Sequence, residues 1–275
     1  MKIGLAAEHA GLIDLLCNIW CDHHDVRLHP QWAGSKLPDW QGDEDIIVST
    51  LPYRIESLKT GKATICYFTD PTWPKEREEV QKLLKEKKIT VIGAEDCYLP
   101  EHFVEGVTEF IPFALNPDNY PVYQGDVPVV AIANRKPIER WEAVVRGAKG
   151  LFIDIASFLK VFAWVIIKED YHWKYKQKLA QSRVLFYYSH SPFTIVMFEA
   201  MTIGIPIVAF DHTHAAKNNV MHKYLFNCST DQKQINEWLS DYLAKPPTRV
   251  EYPALPNFME VRAMWDDLFN RFMAH

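Results

Sequence analysis

Short apolar runs alternate with amphipathic stretches along the first third of the chain. Four runs have the length and composition of buried strands: residues 2–6, 46–50, 63–68 and 89–94. Between them, residues 11–21 and 75–88 place apolar side chains at helical spacing. Strands separated by amphipathic helices are typical of α/β proteins, so the pattern predicts a parallel sheet.

The alternation restarts after a proline-rich segment, residues 110–128, which contains four prolines and is typical of a linker between domains. Beyond it, we predict strands at 129–133, 151–155, 163–167, 184–188 and 205–210, and helices at 139–146, 174–182, 193–202 and 257–273. Two such halves predict two Rossmann-like domains facing a cleft. Ligands of these folds bind at the carboxyl ends of the strands, so the cleft is the expected site.

Composition narrows the class of protein. The 275 residues are 48% hydrophobic and 24% charged, which suits a packed core, and the net charge of −5 means that a polyanion would need a local basic surface. Five cysteines without a disulfide-framework spacing suit a reducing cytosol. The start of the chain has no signal-peptide pattern, and the longest apolar stretch, 151–167, is interrupted by polar residues. We therefore expect a cytoplasmic protein without a membrane segment.

Two other groups of residues have an ordinary interpretation. Cysteines and histidines cluster near the first helix, at Cys17, Cys21, His23, His24 and His29. Their spacing matches no standard zinc pattern, so no metal site is predicted. The sequence also contains neither of the standard glycine-rich phosphate-binding motifs. A basic stretch from Lys168 to Arg183 is interleaved with aromatic residues. It could contact nucleic acid, although a solvated helix face is the favoured interpretation.

One acidic residue, Glu199, stands in an otherwise apolar helical segment that is followed by a Gly204-Ile205-Pro206 turn. A carboxylate in such surroundings is costly unless it accepts strong hydrogen bonds. The two adjacent hydroxyls of a ribose offer such donors. The alternative is a glutamate on the helix surface.

A second carboxylate, Asp70, follows the predicted strand 63–68. A carboxylate at the carboxyl end of a strand can act as a general base when it lies within about 3 Å of the proton that it removes. Asp70-Pro71 is also favourable turn chemistry, and both roles can hold together.

Two arginines, Arg135 and Arg140, follow the first predicted strand of the second half. Paired guanidinium groups at the carboxyl end of a strand suit bidentate binding of phosphate. The alternative is a pair of solvated arginines on a loop.

These segments resemble known enzymes. Glu199, with Ala200 and Met201 after it, resembles the donor-binding signature of nucleotide-sugar glycosyltransferases of the GT-B fold, in which this glutamate binds the donor ribose. The run that ends in Phe68-Thr69-Asp70 resembles the segment that carries the catalytic aspartate in the DNA β-glucosyltransferases of T-even-type bacteriophages.

Further segments resemble the phage family in the same order. Arg135 and Arg140 resemble its two arginines that bind the donor pyrophosphate, residues 219–227 resemble one of its strand segments, and residues 262–271 resemble its terminal helix. The chain also departs from both patterns. Many GT-B enzymes have a second glutamate where Ser191 stands, and the phage family has an arginine where Val196 stands. Glu8 is the nearest candidate for the acidic residue that follows the family's first strand and contacts sugar or acceptor.

The resemblance implies a GT-B fold in three parts. Residues 1–122 would form an acceptor-side Rossmann-like domain, residues 123–255 the donor domain, and residues 256–275 a helix that packs back toward the N-terminal domain. The protein would be a monomer, in the host cytoplasm if a phage encodes it.

The resemblance also implies an activity. A hexosyl or pentosyl group would pass with inversion from a nucleotide sugar, expected to be a UDP-sugar, to the hydroxyl of a hydroxymethylated pyrimidine in duplex DNA. Asp70 would be the base, Arg135 and Arg140 would stabilise the leaving diphosphate, and the target base would be flipped out of the duplex. No permanently bound cofactor is expected, and no ligand cluster for a divalent metal is visible. A lipid, protein or small-molecule acceptor is the alternative, and a sugar-nucleotide- or DNA-binding protein without catalysis is the rival of another class.

Overall fold

The structure is a computed structural model of the chain. It describes residues 1–7, 10–30, 43–51, 64–68, 74–86, 89–94, 109–133, 164–167, 172–187, 195–210, 227–229, 231–253 and 255–274. These form two compact units, one of Met1–Asn116 with Pro256–His275 and one of Pro117–Leu255.

The described residues of the first unit form a five-stranded sheet and three helices. Its elements are β1 (Lys2–Ala7), α1 (Ala10–Trp20), β2 (Asp25–Pro30), β3 (Ile46–Leu51), β4 (Thr64–Phe68), α2 (Pro74–Lys85), β5 (Thr90–Gly93) and, from the end of the chain, α6 (Phe258–Met273). The strand order is β2-β1-β3-β4-β5, and every neighbouring pair is parallel. Ala6, Ser49 and Cys66 lie in one row across β1, β3 and β4, which fixes the register of the central strands.

Helices pack against this sheet where apolar side chains project from it. On one face, Cys66 of β4 packs with Val80 and Leu83 of α2 and with Val91 of β5. The spacing of Val80 and Leu83 is the i, i+3 spacing of one helix face, so this part of the predicted amphipathic helix does face the core. The prediction of a parallel α/β sheet is confirmed for this unit.

The C-terminal helix α6 packs against α1. Trp265 meets Trp20 edge to face, with ring centroids 5.0 Å apart. At the rim of this contact, the carboxylate of Asp266 lies 3.2 Å from Nδ1 of His23 and 3.0 Å from Nε2 of His24. Aromatic burial therefore holds α6 on the first unit, and polar contacts fix its orientation.

The first part of the proline-rich segment belongs to the core of this unit. The amide of Gly93 donates to the carbonyl of Glu109 over 3.1 Å, and the amide of Ile111 donates back to Gly93 over 2.9 Å. The side chains of Ile111, Phe113 and Ala114 are buried. Residues 109–111 therefore extend the edge of the sheet beside β5.

The second unit repeats the architecture. Its elements are β6 (Val127–Ala133), β7 (Trp164–Ile167), α3 (His172–Gln181), β8 (Ser182–Tyr187), α4 (Ile195–Ile203), β9 (Ile207–Phe210), β10 (Asn227–Ser229) and α5 (Gln232–Ala244). The sheet has the order β10-β9-β8-β6-β7 with parallel neighbours. The predicted helix 139–146 and the predicted strand 151–155 lie outside the described residues. Of the strand-like segment 219–227, only Asn227 is described, and it begins β10.

Within the described parts of the chain, no helix combines the length and the apolar character needed to cross a membrane.

Candidate functional site

Both sheets have the same topological switch point. When the strands of each unit are numbered along the chain, both orders become 2-1-3-4-5. The connections on the two sides of the first strand leave in opposite directions, and this opens a crevice at the carboxyl edge where open α/β sheets bind ligands. In the first unit, the crevice lies between β1 and β3. In the second unit, it lies between β6 and β8.

The strands beside the switch point of the second unit lead to the predicted donor-binding residues. β6 ends at Ala133, two residues before Arg135. Arg135 and Arg140 themselves lie outside the described residues. On the other side of the switch point, β8 ends at Tyr187 and the chain continues into α4, which carries Glu199. All three candidates therefore follow the two strands that flank the crevice.

Glu199 is completely buried, with 0% of its surface exposed. Every residue of α4 from Met197 to Ile203 is buried, so this helix has no solvated face along that stretch. Glu199 is therefore not a helix-surface glutamate. A buried carboxylate is costly unless it accepts hydrogen bonds, which makes this position informative about function.

The turn after α4 fixes the end of the helix. Gly204 has φ +88°, and its amide donates to the carbonyl of Ala200 over 2.9 Å, as in a glycine-terminated helix. A Cβ atom at Gly204 would lie 2.5 Å from Cγ of Arg249. Both the backbone conformation and the close approach of Arg249 therefore require glycine here.

A second contact holds the same turn. The hydroxyl of Tyr252 donates to the carbonyl of Ile205 over 2.7 Å, and burial raises the pKa of this hydroxyl above its ordinary value. The amide of Val250 donates to the carbonyl of Gly204 over 2.9 Å. Sequence analysis missed these supporting residues, because residues 249–252 carry no pattern that connects them to a turn almost 50 positions earlier.

The sequence departs from the family patterns at Val196 and at Ser191, and the structure describes only the first of these residues. Val196 lies in the first turn of α4, is half-buried, and precedes Glu199 by three residues. The helix therefore presents an apolar side chain where the phage family has an arginine. Ser191 lies outside the described residues.

In the first unit, both acidic candidates lie outside the described residues, but the strands that lead to them are defined. β1 ends at Ala7, immediately before Glu8, and β4 ends at Phe68, two residues before Asp70. Both strands end at the carboxyl edge of one parallel sheet, with only β3 between them. The strands β1 and β4 are therefore two interstrand spacings apart, or about 10 Å.

The structure divides the basic stretch around α3 into buried and exposed parts. Lys176 is buried, with its Nζ 3.9 Å from the centre of the Tyr120 ring and 3.3 Å from the carbonyl oxygen of Asn119. Tyr175 is also buried, and Arg183 donates to the carbonyl of Gly125 over 2.6 Å. These three side chains therefore stabilise the unit itself. Of the basic and aromatic side chains of this stretch that the structure describes, Trp173, Lys174 and Lys178 are exposed.

The cysteine and histidine cluster is also accounted for in part. His23 and His24 contact Asp266. Cys17 lies on α1, and Cys21 directly follows the helix, with its amide donating to the carbonyl of Cys17 over 2.9 Å. Across the described residues, no group of three or more His, Cys, Asp or Glu side chains is placed to hold a metal ion.

No family model matches the chain, and no curated protein matches it. Solved structures that share its fold include the following three. Sucrose-phosphate synthase from Thermosynechococcus elongatus has a TM-score of 0.66 at 12% identity, covering 100% of this chain and 99% of that one. HepE from Anabaena, solved with UDP-glucose, has a TM-score of 0.65 at 13% identity, covering 98% and 100%. An O-GlcNAc transferase from Thermobaculum terrenum has a TM-score of 0.54 at 12% identity, covering 99% and 67%.

At these identities the similarity concerns the fold. It extends over both units, because the alignment with sucrose-phosphate synthase covers the whole chain. The protein thus has a parallel α/β fold, and the solved structures that share this fold include GT-B glycosyltransferases.

Proposed function

We propose that this protein is a glycosyltransferase that takes a sugar from a nucleotide-sugar donor, with the second unit as the donor-binding unit. The observation that carries the proposal is the topology of the second unit, in which a strand that flanks the switch point, β8, leads into the helix that carries Glu199. The shared fold supports it, since HepE has this fold and has been solved with UDP-glucose.

The proposed donor contacts divide between the two sides of the crevice. Glu199 accepts hydrogen bonds from the ribose hydroxyls, which are charge-assisted because the acceptor is a carboxylate. Arg135 and Arg140 follow β6 and bind the pyrophosphate, where their charge stabilises the leaving nucleoside diphosphate. A UDP-sugar is the donor that we propose.

The proposed reaction is a single displacement with inversion. Asp70 accepts the proton of the acceptor hydroxyl as its oxygen attacks the anomeric carbon. The bond from that carbon to the diphosphate breaks, and the nucleoside diphosphate leaves with the electron pair. Glu8 follows β1 at the same sheet edge and is the proposed contact for sugar or acceptor.

For the acceptor, we propose the hydroxymethyl group of a modified pyrimidine in duplex DNA. The support is the ordered resemblance of the segments around Asp70, Arg135 and Glu199 to the phage DNA β-glucosyltransferases. Because the net charge is −5, DNA must bind through a local basic surface. The target base must also be flipped out of the duplex, because its hydroxymethyl group has to enter the active site.

The test is transfer of sugar to a defined duplex. Hydroxymethylcytosine DNA is incubated with the protein and a panel of nucleotide sugars, and the digested nucleosides are analysed by mass spectrometry. We expect a hexosyl or pentosyl adduct on hydroxymethylcytosine and none on unmodified DNA. Circular dichroism should show that the Asp70→Asn variant is folded, and this variant should form the adduct ~10²–10⁴-fold more slowly than wild type.

Other results identify the alternatives. Sugar transfer to a lipid, peptide or small molecule, with none to DNA, would retain the glycosyltransferase and replace the acceptor. Donor binding without transfer or donor hydrolysis, in wild type and Asp70→Asn alike, would indicate a binding protein. Absence of nucleotide-sugar binding would reject the proposed function altogether.

A further inference from the structure

Helix α3 has a buried side and a solvent-exposed side. The helix packs against β6, β7 and β8, and against α4, which carries Glu199. Its exposed side, which we call the α3 face, consists of five side chains: Trp173, Lys174, Gln177, Lys178 and Gln181. These residues form two adjacent rows in which successive members are four positions apart, so they share one surface of the helix.

The polar residues of the α3 face are two lysines and two glutamines. α3 contains no aspartate or glutamate, so the helix contributes positive charge and no carboxylate to this surface. On α5 and α6, by contrast, exposed cations lie beside carboxylates of the same helix, as Lys233 does beside Glu237 and Arg271 beside Asp267. In a chain of net charge −5, the α3 face is therefore suited to a polyanion that needs a local basic surface.

Trp173 adds an aromatic surface to these charges. The residue is 53% exposed, and of the Phe, Tyr and Trp side chains that the structure describes, it is the one that is exposed. An indole ring beside lysine side chains is typical of nucleic-acid contacts, because the ring stacks on a base or packs against a sugar while the cations bind phosphate.

The first turn of α3 lies at the ligand-binding edge of the second sheet. β7 ends at Ile167 and α3 begins at His172, whereas the end of α3 leads directly into β8 at Ser182. Because β7 and β8 are strands of one parallel sheet, the helix runs from the carboxyl edge back to the amino edge. Trp173 and Lys174 are therefore at the edge where the crevice opens.

The other end of α3 is fixed to the second unit. The hydroxyl of Ser182 donates to the carbonyl of Lys178 over 2.9 Å. The amides of Gln124 and Gly125 donate to the carbonyl of Ala180 over 2.9 and 3.0 Å. The α3 face is thus carried on an anchored helix, and a partner that binds it has little backbone to order.

We propose that the α3 face binds the sugar-phosphate backbone of the DNA acceptor. This inference rests on the proposed function, because DNA is the acceptor named there. Lys174 and Lys178 bind phosphates, the two glutamines donate hydrogen bonds to phosphate oxygens, and Trp173 packs on the DNA beside the crevice. The lysines are separated by about 6 Å of helical rise, and phosphates of one strand advance by about 3.4 Å along the duplex, so both lysines can reach the same strand.

The first test removes the two charges of the α3 face. In Lys174→Gln/Lys178→Gln, both side chains remain polar and exposed, so the protein should fold as wild type does. Each phosphate contact contributes about 0.9 to the slope of log Kd against log salt concentration, so the slope for hydroxymethylcytosine duplex DNA should fall by about 1.8. Fluorescence anisotropy at several salt concentrations measures this slope. At 0.1 M salt, the Kd should rise ~10- to 60-fold.

A matched pair of lysines controls for the loss of net charge. Lys233 of α5 and Lys245 at its end are exposed in the same unit, and each lies beside a carboxylate. Lys233→Gln/Lys245→Gln removes the same charge, yet it should leave the salt slope unchanged and the Kd for DNA within about twofold of wild type. Both double variants should bind UDP as wild type does, because neither changes a proposed donor contact.

The second test detects contact between Trp173 and DNA. Trp173→Ala should weaken duplex binding ~5- to 150-fold, the usual effect of losing an aromatic contact to nucleic acid, while Trp173→Phe should retain most of the affinity. Trp173→Phe also lacks one indole, so DNA should quench tryptophan fluorescence more in wild type than in this variant. UDP should quench both proteins equally.

The outcomes distinguish the DNA-binding surface from the proposed function. Sugar transfer to DNA, together with equal DNA affinity in the α3 and control variants, would overturn the role of the α3 face and leave the proposed function intact. DNA binding that depends on the α3 face, without any sugar adduct, would support the surface and refute the proposed reaction. Absence of duplex binding at the lowest salt would refute both the surface and the DNA acceptor. If the α3 variants lose affinity for anionic lipid vesicles and not for DNA, the partner is a membrane surface and the inference is wrong.

Discussion

Replacement of Glu199 by glutamine tests the donor site most directly. Glutamine has nearly the same volume, so the buried stretch Met197–Ile203 of α4 should pack as before, and only the charge of the acceptor is lost. In our proposal this carboxylate accepts hydrogen bonds from both ribose hydroxyls. The substitution converts charge-assisted bonds into neutral ones and leaves an amide NH₂ facing a hydroxyl.

The magnitude follows from the burial. Hydrogen bonds to a charged group contribute about 1.5–3 kcal/mol, and complete burial of Glu199 removes the screening that would weaken them. At 1.4 kcal/mol for each tenfold change, the Kd for UDP should rise ~10- to 150-fold in Glu199→Gln. Glu251, which is exposed in the same unit, provides the matched control, and Glu251→Gln should bind UDP as wild type does.

Calorimetry with three ligands identifies the contact. Wild type should bind UDP more tightly than 2′-deoxy-UDP, and Glu199→Gln should reduce this discrimination. Affinity for inorganic pyrophosphate, which has no ribose, should be the same in both proteins. Equal losses for all three ligands would mean that Glu199 maintains the fold of the site rather than binding the ribose. Unchanged UDP affinity would place the nucleotide elsewhere.

Three further predictions concern other parts of the molecule. Arg135→Ala should weaken both UDP and pyrophosphate by about 1.5–3 kcal/mol in calorimetry, and a loss confined to UDP would contradict a phosphate contact. Gly204→Ala should lower the free energy of unfolding by at least ~1–2 kcal/mol in urea titrations, because φ is +88° and the new Cβ meets Arg249; unchanged stability would show that this turn can relax. Hydrogen bonds from Lys2, and from a neighbouring arginine, lower the pKa of Asp43 from 3.8 to about 2. Their stabilisation is therefore present above about pH 4 and lost as the pH falls toward 2, so Asp43→Asn should lose less Tm than wild type over this interval.

The strands that were predicted correctly are those whose local sequence reflects burial on both faces. β1, β3 and β4 are each an apolar run, and each begins and ends within one residue of its predicted bounds. β2 was not predicted. It is an edge strand of mixed polar and apolar residues, and Leu28 remains 47% exposed, so its sequence carries no burial signal.

Helix α5 was also missed, although its start carries a recognisable cap. The side chain of Asp231 accepts a hydrogen bond of 2.8 Å from the amide of Lys233. The helix buries Ile235 and Leu239 fully, and two such positions are too few to make its period stand out. Strand order could not be predicted either, because pairing between distant segments depends on the whole sheet.

The candidate site shows the same division between local and distant information. The sequence around Glu199 suggested a donor-binding residue, but its complete burial, and the fact that its helix follows a strand that flanks the switch point, depend on strands distant in sequence. Likewise, the basic stretch around α3 looks uniform in sequence, yet Lys176 turns inward and Lys178 does not. The roles of Asp70, Arg135, Arg140 and Glu8 stay predictions.

The placement of α6 has a consequence for how the chain folds during synthesis. This helix completes the core of the first unit, yet it follows the whole second unit in the sequence. A ribosome therefore releases the second unit in full before Trp265 and Phe269 can cover Trp20 and Tyr67. Until then, the nascent first unit exposes the aromatic surface around Trp20 and Tyr67, which makes it a candidate client for chaperones.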